Sequence, residues 1–112
     1  MADAYKEAEV QGTSAVGTYA TLYDTSGTGV TAVVAAILVV NTTTTAQTYR
    51  IGVMDSAGTP GAANWRAYDC TVDPNDVFAH QVPICMQNGR YIRVSSSNTG
   101  VTFAAEISEM TP

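Results

Sequence analysis

The sequence predicts an all-β chain: a single antiparallel β-sandwich or barrel-like domain of about eight short strands, residues 14–112, preceded by an N-terminal arm, residues 1–13. Three observations predict it. Apolar or alternating runs recur about every ten residues, clusters of Gly, Pro, Asn and Asp separate them, and no segment holds a helix period over a useful length.

Asp3 to Val10 has room only for a short helical turn, so residues 1–13 read as an arm, frayed when isolated or laid against a partner. Ala15–Tyr23 is the first strand, with Val16, Ala20 and Leu22 alternating against Tyr19, Thr21 and Tyr23, and Asp24–Gly29 breaks it with turn residues. Val30–Val40 is a continuous apolar run, as expected of a strand covered on both faces, and a Thr-rich bend, Asn41–Ala46, leads into Gln47–Met54. Asp55 to Asn64 is the longest loop and the expected mobile tip. Trp65–Val72 follows, with Trp65, Ala67 and Asp69 expected on one face and Arg66, Tyr68 and Cys70 on the other. Asp73-Pro-Asn-Asp76 is read as a hairpin turn into Val77–Val82, and Pro83 ends that strand because it cannot donate to a ladder. Asn88-Gly89 is the sharpest local signal, a two-residue hairpin between Ile84–Gln87 and Arg90–Ser95 that would set Cys85 opposite Ile92 and Met86 opposite Tyr91. The last strand, Val101–Ser108, carries Val101, Phe103, Ala105 and Ile107 at period two.

Five Lys and Arg against ten Asp and Glu leave a formal charge of −5, without a basic stripe, which excludes nucleic acid and anionic membrane as expected partners. Only 13% of residues are charged, against about 25% in ordinary domains, which suits either a Thr/Ser/Gly-rich surface or a surface partly covered by neighbours. Met1 to Val10 is polar and mixed in charge, so no secretory signal is expected, and the chain is expected to stay in the cytosol or assemble there into something larger. Cys70 and Cys85 are then expected as two buried free thiols, since the hairpin reading separates them by roughly 20 Å.

Chemistry has little to work with, and no enzyme is expected. His80 is the only histidine and reads as a packed or surface residue. Asp69, Asp73 and Asp76 surround one turn without the regular spacing of a calcium loop, and ordinary turn chemistry explains them. No cofactor or metal is expected. Amphipathic rings are favoured at binding faces, and Tyr19, Tyr23, Tyr49, Tyr68, Tyr91 and Trp65 divide between such a face and the core. The residues nominated for an interface are Tyr5, Trp65, Tyr91 and Arg93, the last two sharing a face of one strand opposite Ile92 and Val94.

The order of pieces carries a resemblance. Thr21-Leu-Tyr23, the apolar strand closing on Asn41, Thr48-Tyr-Arg-Ile-Gly-Val53, Ala67-Tyr-Asp69, the Asp73–Asp76 turn, Gly89-Arg-Tyr-Ile-Arg-Val94 and Val101-Thr-Phe-Ala-Ala105 follow one another across residues 19–107. In that order they resemble a family of small β-sandwich domains found in virion proteins of tailed bacteriophages. The family's Val-Pro-x-Gly turn before the long apolar strand is replaced here by Asp24-Thr-Ser-Gly-Thr-Gly29. The resemblance implies a virion structural protein, most like a capsid decoration (cement) protein assembled in the host cytoplasm. Its implied partner is the major capsid protein on the outer capsid surface, and its implied state a homo-oligomer, a trimer. The alternatives are a tail, baseplate or fibre component, or a carbohydrate-binding β-sandwich module.

Overall fold

Nine segments alternate strongly enough between inward and outward side chains to form strands in the computed structural model, which describes residues 2–27, 29–81 and 83–111. They are β1 (Ala2–Gln11), β2 (Ala20–Asp24), β3 (Thr31–Asn41), β4 (Gln47–Met54), β5 (Trp65–Val72), β6 (Asp76–His80), β7 (Ile84–Met86), β8 (Tyr91–Ser96) and β9 (Val101–Thr111). Two antiparallel sheets pack face to face as a β-sandwich. One has the order β1-β9-β3-β6, with β7 sharing β6's edge of β3, and the other has the order β2-β8-β4-β5.

Period two decides which side chains meet between the sheets. Val34, Ile37 and Val39 of β3 and Phe103, Ala105 and Ile107 of β9 come from the five-stranded sheet. Tyr49, Ile51 and Val53 of β4 and Ile92 and Val94 of β8 come from the other, and all are at most 4% exposed. Each large apolar side chain buried this way contributes about 1.5–3 kcal/mol, so the core outweighs the two ion pairs found among the described residues.

The segment expected as an arm is instead a strand. Ala2–Gln11 pairs with β9 from Ala2↔Thr111 to Gln11↔Thr102, which raises the expected eight strands to nine. Ala8 and Val10 point inward against the core, while Tyr5, Glu7 and Glu9 face solvent, as suits an edge strand guarded by charge. Lys6 Nζ lies 3.2 Å from the buried Glu109 carboxylate, which also accepts a hydrogen bond from the Tyr23 hydroxyl. This polar triplet ties β1, β9 and β2 together.

Both expected hairpins are turns between sheets. β5 pairs with β4, whereas β6 pairs with β3, so Cys70 faces Tyr49 rather than Ala79. The Asp73–Asp76 turn is held to the Thr-rich bend: Asn75 (φ 53°) donates its amide to the Thr43 carbonyl at 3.1 Å, and Asn41 donates to the Asp73 carbonyl. β7 likewise pairs with β3 and β8 with β4 and β2, so Cys85 lies opposite Val33 and not Ile92, and Tyr91 lies opposite Met54 and Asp24, not Met86. Gly89 takes φ 82°, but the turn docks on Thr25. The Gly89 amide and the Asn88 side chain donate to the Thr25 carbonyl, and the Arg90 amide donates to Thr25 Oγ1.

Three smaller expectations also change. Cys70 and Cys85 are free, but only Cys70 packs on the core; Cys85 occupies the outward position of β7 and is exposed. β3 is fully buried on its inner face alone, and its outer apolar residues are partly exposed. β2 begins at Ala20 instead of Ala15, because residues 15–18 close a turn in which the Thr18 amide donates to the Ala15 carbonyl. Val82, the expected end of the strand after the Asp73–Asp76 turn, lies outside the described residues, as do Thr28 of the expected Asp24–Gly29 turn and the termini Met1 and Pro112.

His80 reaches inward from β6, its Nε2 2.6 Å from the Tyr49 hydroxyl, and burial holds its pKa below the ordinary 6.5. The unfolded chain therefore takes up a proton near that value that the folded chain resists, so stability is full above pH 6.5 and declines as pH falls below it. Glu109 acts in the same direction lower down. The Tyr23 hydroxyl, first, and then Lys6 hold its pKa under the usual 4.5, so its contribution persists above 4.5 and is lost as pH falls through its folded value. Melting temperature between about pH 2 and pH 8, followed by circular dichroism, is expected to drop in two stages on acidification, with His80→Gln removing the upper stage. A profile flat below neutrality would contradict the assignment.

Candidate functional site

The outer face of the four-stranded sheet gathers aromatic rings around one guanidinium. Its geometry begins with an extra residue in β5. Tyr49 pairs with Cys70 and Ile51 with Ala67, so three steps of β5 answer two of β4. The bulge falls at Asp69, which takes the left-handed conformation at φ 50°. A second shift follows at the head of β5, where Ile51 pairs with Ala67 but Gly52 with Trp65. Together the two turn Ala67, Cys70 and Val72 towards the core and leave Trp65 and Tyr68 together outside, their centroids 4.9 Å apart. The expected grouping of Trp65, Ala67 and Asp69 on one face assumed an unbroken strand and fails at these two irregularities.

Arg50 of β4 fills the space between these rings. Its Nε and Nη2 donate to the two carboxylate oxygens of Asp69 at 2.6 and 3.1 Å, and Nη1 donates to the Tyr19 hydroxyl at 3.1 Å. The guanidinium carbon lies 4.2 Å from the Tyr68 centroid and 5.7 Å from that of Trp65, a distance range at which a ring face attracts a cation. Tyr19, delivered by the segment before β2, completes the group 5.9 Å from Trp65. The Asp69 and Tyr19 hydrogen bonds raise the Arg50 pKa above its ordinary value, and the Arg50 guanidinium lowers that of Asp69, so both are ionised at neutral pH.

The 55–64 loop forms one wall. Arg93 of β8 donates to the Gly58 carbonyl at 3.1 Å and to Thr21 Oγ1 at 2.7 Å, the Val53 amide donates to the Asn64 carbonyl, and the Gly61 amide donates to Asn64 Oδ1. The loop expected as a mobile tip is thus tied down at several points. Pro60, Gly61 and Ala62 face the rings across an open cleft of about 510 Å³.

Of the four nominated residues, Trp65 and Arg93 serve this face, Trp65 as a ring and Arg93 as the anchor of its wall. Tyr91 stands on the Arg93 side of β8, opposite the buried Ile92 and Val94 as expected. Tyr5 does not join them; it is 93% exposed on β1, in the other sheet. Tyr23 and Tyr49 pack on or within the core. Tyr19, Tyr68 and Arg50 were not nominated together, because only the bulge and the strand order bring them to one place.

On the opposite face, the outside of the five-stranded sheet, the part formed by β3 and β6 is apolar and no described element packs over it. Val33, Ala36, Leu38 and Val40 of β3 lie beside Val77 and Ala79 of β6, paired Val40↔Val77 and Leu38↔Ala79. Val77 is half exposed and the others partly so.

Among the described residues no group of three His, Cys, Asp or Glu side chains could hold a metal ion. Asp69 is engaged by Arg50, and Asp76 caps its own strand by accepting from the Val77 amide at 2.8 Å. No protein-family model matches the chain, and no curated protein matches it.

Proposed function

We propose that this chain is a structural protein of a tailed-bacteriophage virion, a cement protein that binds the outer capsid lattice through the apolar face of its five-stranded sheet. The single observation that carries the reading is that face. Six apolar side chains lie side by side on a part of the sheet over which no described element packs, and such patches mark protein contact. The motif order supports it. The pieces that resemble the virion family fall on β2, β3, β4, β5, β8 and β9 in sequence. A chain that binds the assembled shell and not its separated parts shifts the equilibrium towards the shell. Many symmetric copies, such as trimers at three-fold points, would act together on one lattice.

Copy number in purified particles, measured by quantitative mass spectrometry against the major capsid protein, tests the proposal. A ratio of the same order supports lattice decoration. A few copies per particle would move the chain to a tail, baseplate or fibre, and absence from particles would overturn the reading. Val77→Glu, at a half-exposed position, is expected to leave the domain's melting temperature within about 2–4 °C while abolishing retention on shells. Full retention of that variant would exclude the apolar face as the contact.

A further inference from the structure

We infer that the cleft formed by Tyr19, Trp65, Tyr68 and Arg50 is a binding site for a neutral, polyhydroxylated ligand, a segment of an oligosaccharide chain. The inference is independent of any role on a shell, since it concerns the opposite sheet.

Three properties of the cleft select this chemistry. The first is its apolar surface: two tyrosines and a tryptophan, tilted 38° and 67° to one another, present ring faces and edges to solvent, with Tyr68 53% exposed. Such rings offer large contact area at low entropic cost, and they suit the C–H faces of a pyranose. The second is charge. Asp69 neutralises Arg50 through two hydrogen bonds, and the Tyr19 hydroxyl takes a third donor of the guanidinium. Among the described residues that line the cleft Arg50 is the one cation, and with its charge balanced by Asp69 a phosphate or carboxylate gains little there, while the chain's net charge of −5 repels anions further.

The third is the hydrogen-bonding balance. The Asp69 side chain is 44% exposed, so its carboxylate keeps lone pairs for further donors. Sugar hydroxyls supply such donors. A polyproline segment, the other ligand that aromatic grooves favour, has none, and would bury those lone pairs without partners. The cleft's volume of about 510 Å³ lies within the roughly 300–1,000 Å³ of small-ligand sites. It is open to solvent, which fits part of a longer chain lying on it rather than a single enclosed molecule.

The backbone gives independent support. Asp69 sits at φ 50°, a conformation that non-glycine residues adopt at a cost, and the bulge there is what turns Tyr68 outward and aims the carboxylate at Arg50. A regular strand would stack β5 on β4 without the cleft.

Trp65 is the only tryptophan, so its fluorescence reports the site directly. The full chain would be titrated separately with cellohexaose, maltohexaose, chitohexaose and decaproline to about 10 mM, which reaches the weak end of specific binding. A saturable change in emission with at least one oligosaccharide is expected, and Tyr68→Ala is expected to weaken it by about tenfold or more. Asp69→Asn, which keeps the shape and tolerance of the bulge but loses the ionised acceptor, is expected to weaken it as well. Flat titrations with all three sugars, saturation by decaproline alone, or an affinity unchanged in Tyr68→Ala would each overturn the inference. Circular dichroism melts of both variants establish that any loss is local.

Discussion

Asn41→Ala is expected to lower the stability of the domain by about 3 kcal/mol, a fall in melting temperature on the order of 15 °C. Asn41 closes β3 and is only 1% exposed. Its Nδ2 donates to the carbonyls of Thr45 at 2.8 Å, Val72 at 3.2 Å and Asp73 at 3.1 Å, while Oδ1 accepts from the amide and hydroxyl of Thr43. One side chain thus satisfies both the bend that leaves β3 and the turn that leaves β5. Alanine leaves several of these groups without partners at a place where water has little access, and each such loss costs about 1–3 kcal/mol. Asn41→Asp is the informative companion. It keeps the acceptor for Thr43 but turns a second acceptor towards three carbonyls, so at neutral pH it is expected to be at least as damaging. Lowering the pH should recover part of the loss, because a protonated carboxyl can donate. Urea unfolding at two pH values measures both effects, and an Asn41→Ala variant as stable as the parent would mean that strand pairing alone holds the corner.

The bounds of strands whose two faces differ were legible in the sequence. Gln47–Met54 and Trp65–Val72 are β4 and β5 with the expected bounds, and the period-two face of Val101, Phe103, Ala105 and Ile107 is the core face of β9. What local pattern does not contain is the partner of each strand. Asn88-Gly89 carries the composition of a tight hairpin, yet Thr25, more than 60 residues away, takes the hydrogen bonds of that turn and directs the strands on either side of it into different sheets. β1 escaped notice for a related reason. Ala-Asp-Ala-Tyr-Lys-Glu-Ala-Glu-Val-Gln is poor strand language because one edge and one face meet water; among its described side chains Ala8 and Val10 are the ones that pack on the core.

The candidate site divides the same way. Trp65 was visible as an amphipathic ring at the head of a strand, and Arg93 as an outward residue of β8. The convergence of Tyr19, Arg50 and Tyr68 was not visible, since it depends on a bulge that shifts β5 by one residue and flips its faces. A long apolar run also misled in an instructive way. Val30–Val40 reads as a strand covered on both sides, but no described element packs over its outer half. A run apolar on both faces with one of them bare is the sequence trace of a contact surface, which links the composition to the proposed docking face.

Gly12→Ala is expected to cost about 3 kcal/mol or more, and the loss should begin at β1. Gly12 follows β1 and donates its amide to the Val101 carbonyl at 2.6 Å. A Cβ there would fall far inside van der Waals contact of Ser96 Oγ and of the Val101 carbonyl oxygen. Neither neighbour can step aside cheaply. The Val101 oxygen is backbone, and Ser96 Oγ accepts from the Thr13 amide at 2.9 Å and donates towards the carbonyls of Thr13 and Asn98. Thr13 Oγ1 in turn accepts from the Ser96 amide at 3.0 Å, so the clamp is reciprocal. Relief must come from the chain on the other side, which is β1, an edge strand packed mainly on β9 and β2. Hydrogen exchange should therefore show the amides of β1 losing protection before those of β3 or β9. Gly17→Ala, where an added Cβ meets nothing within 4 Å, provides the control and is expected to change stability by less than about 1 kcal/mol. If Gly12→Ala melted with its parent, the clamp would have to yield freely. The close approach of Gly12 would then be incidental, and the strand would depend on the Lys6–Glu109–Tyr23 triplet for its attachment.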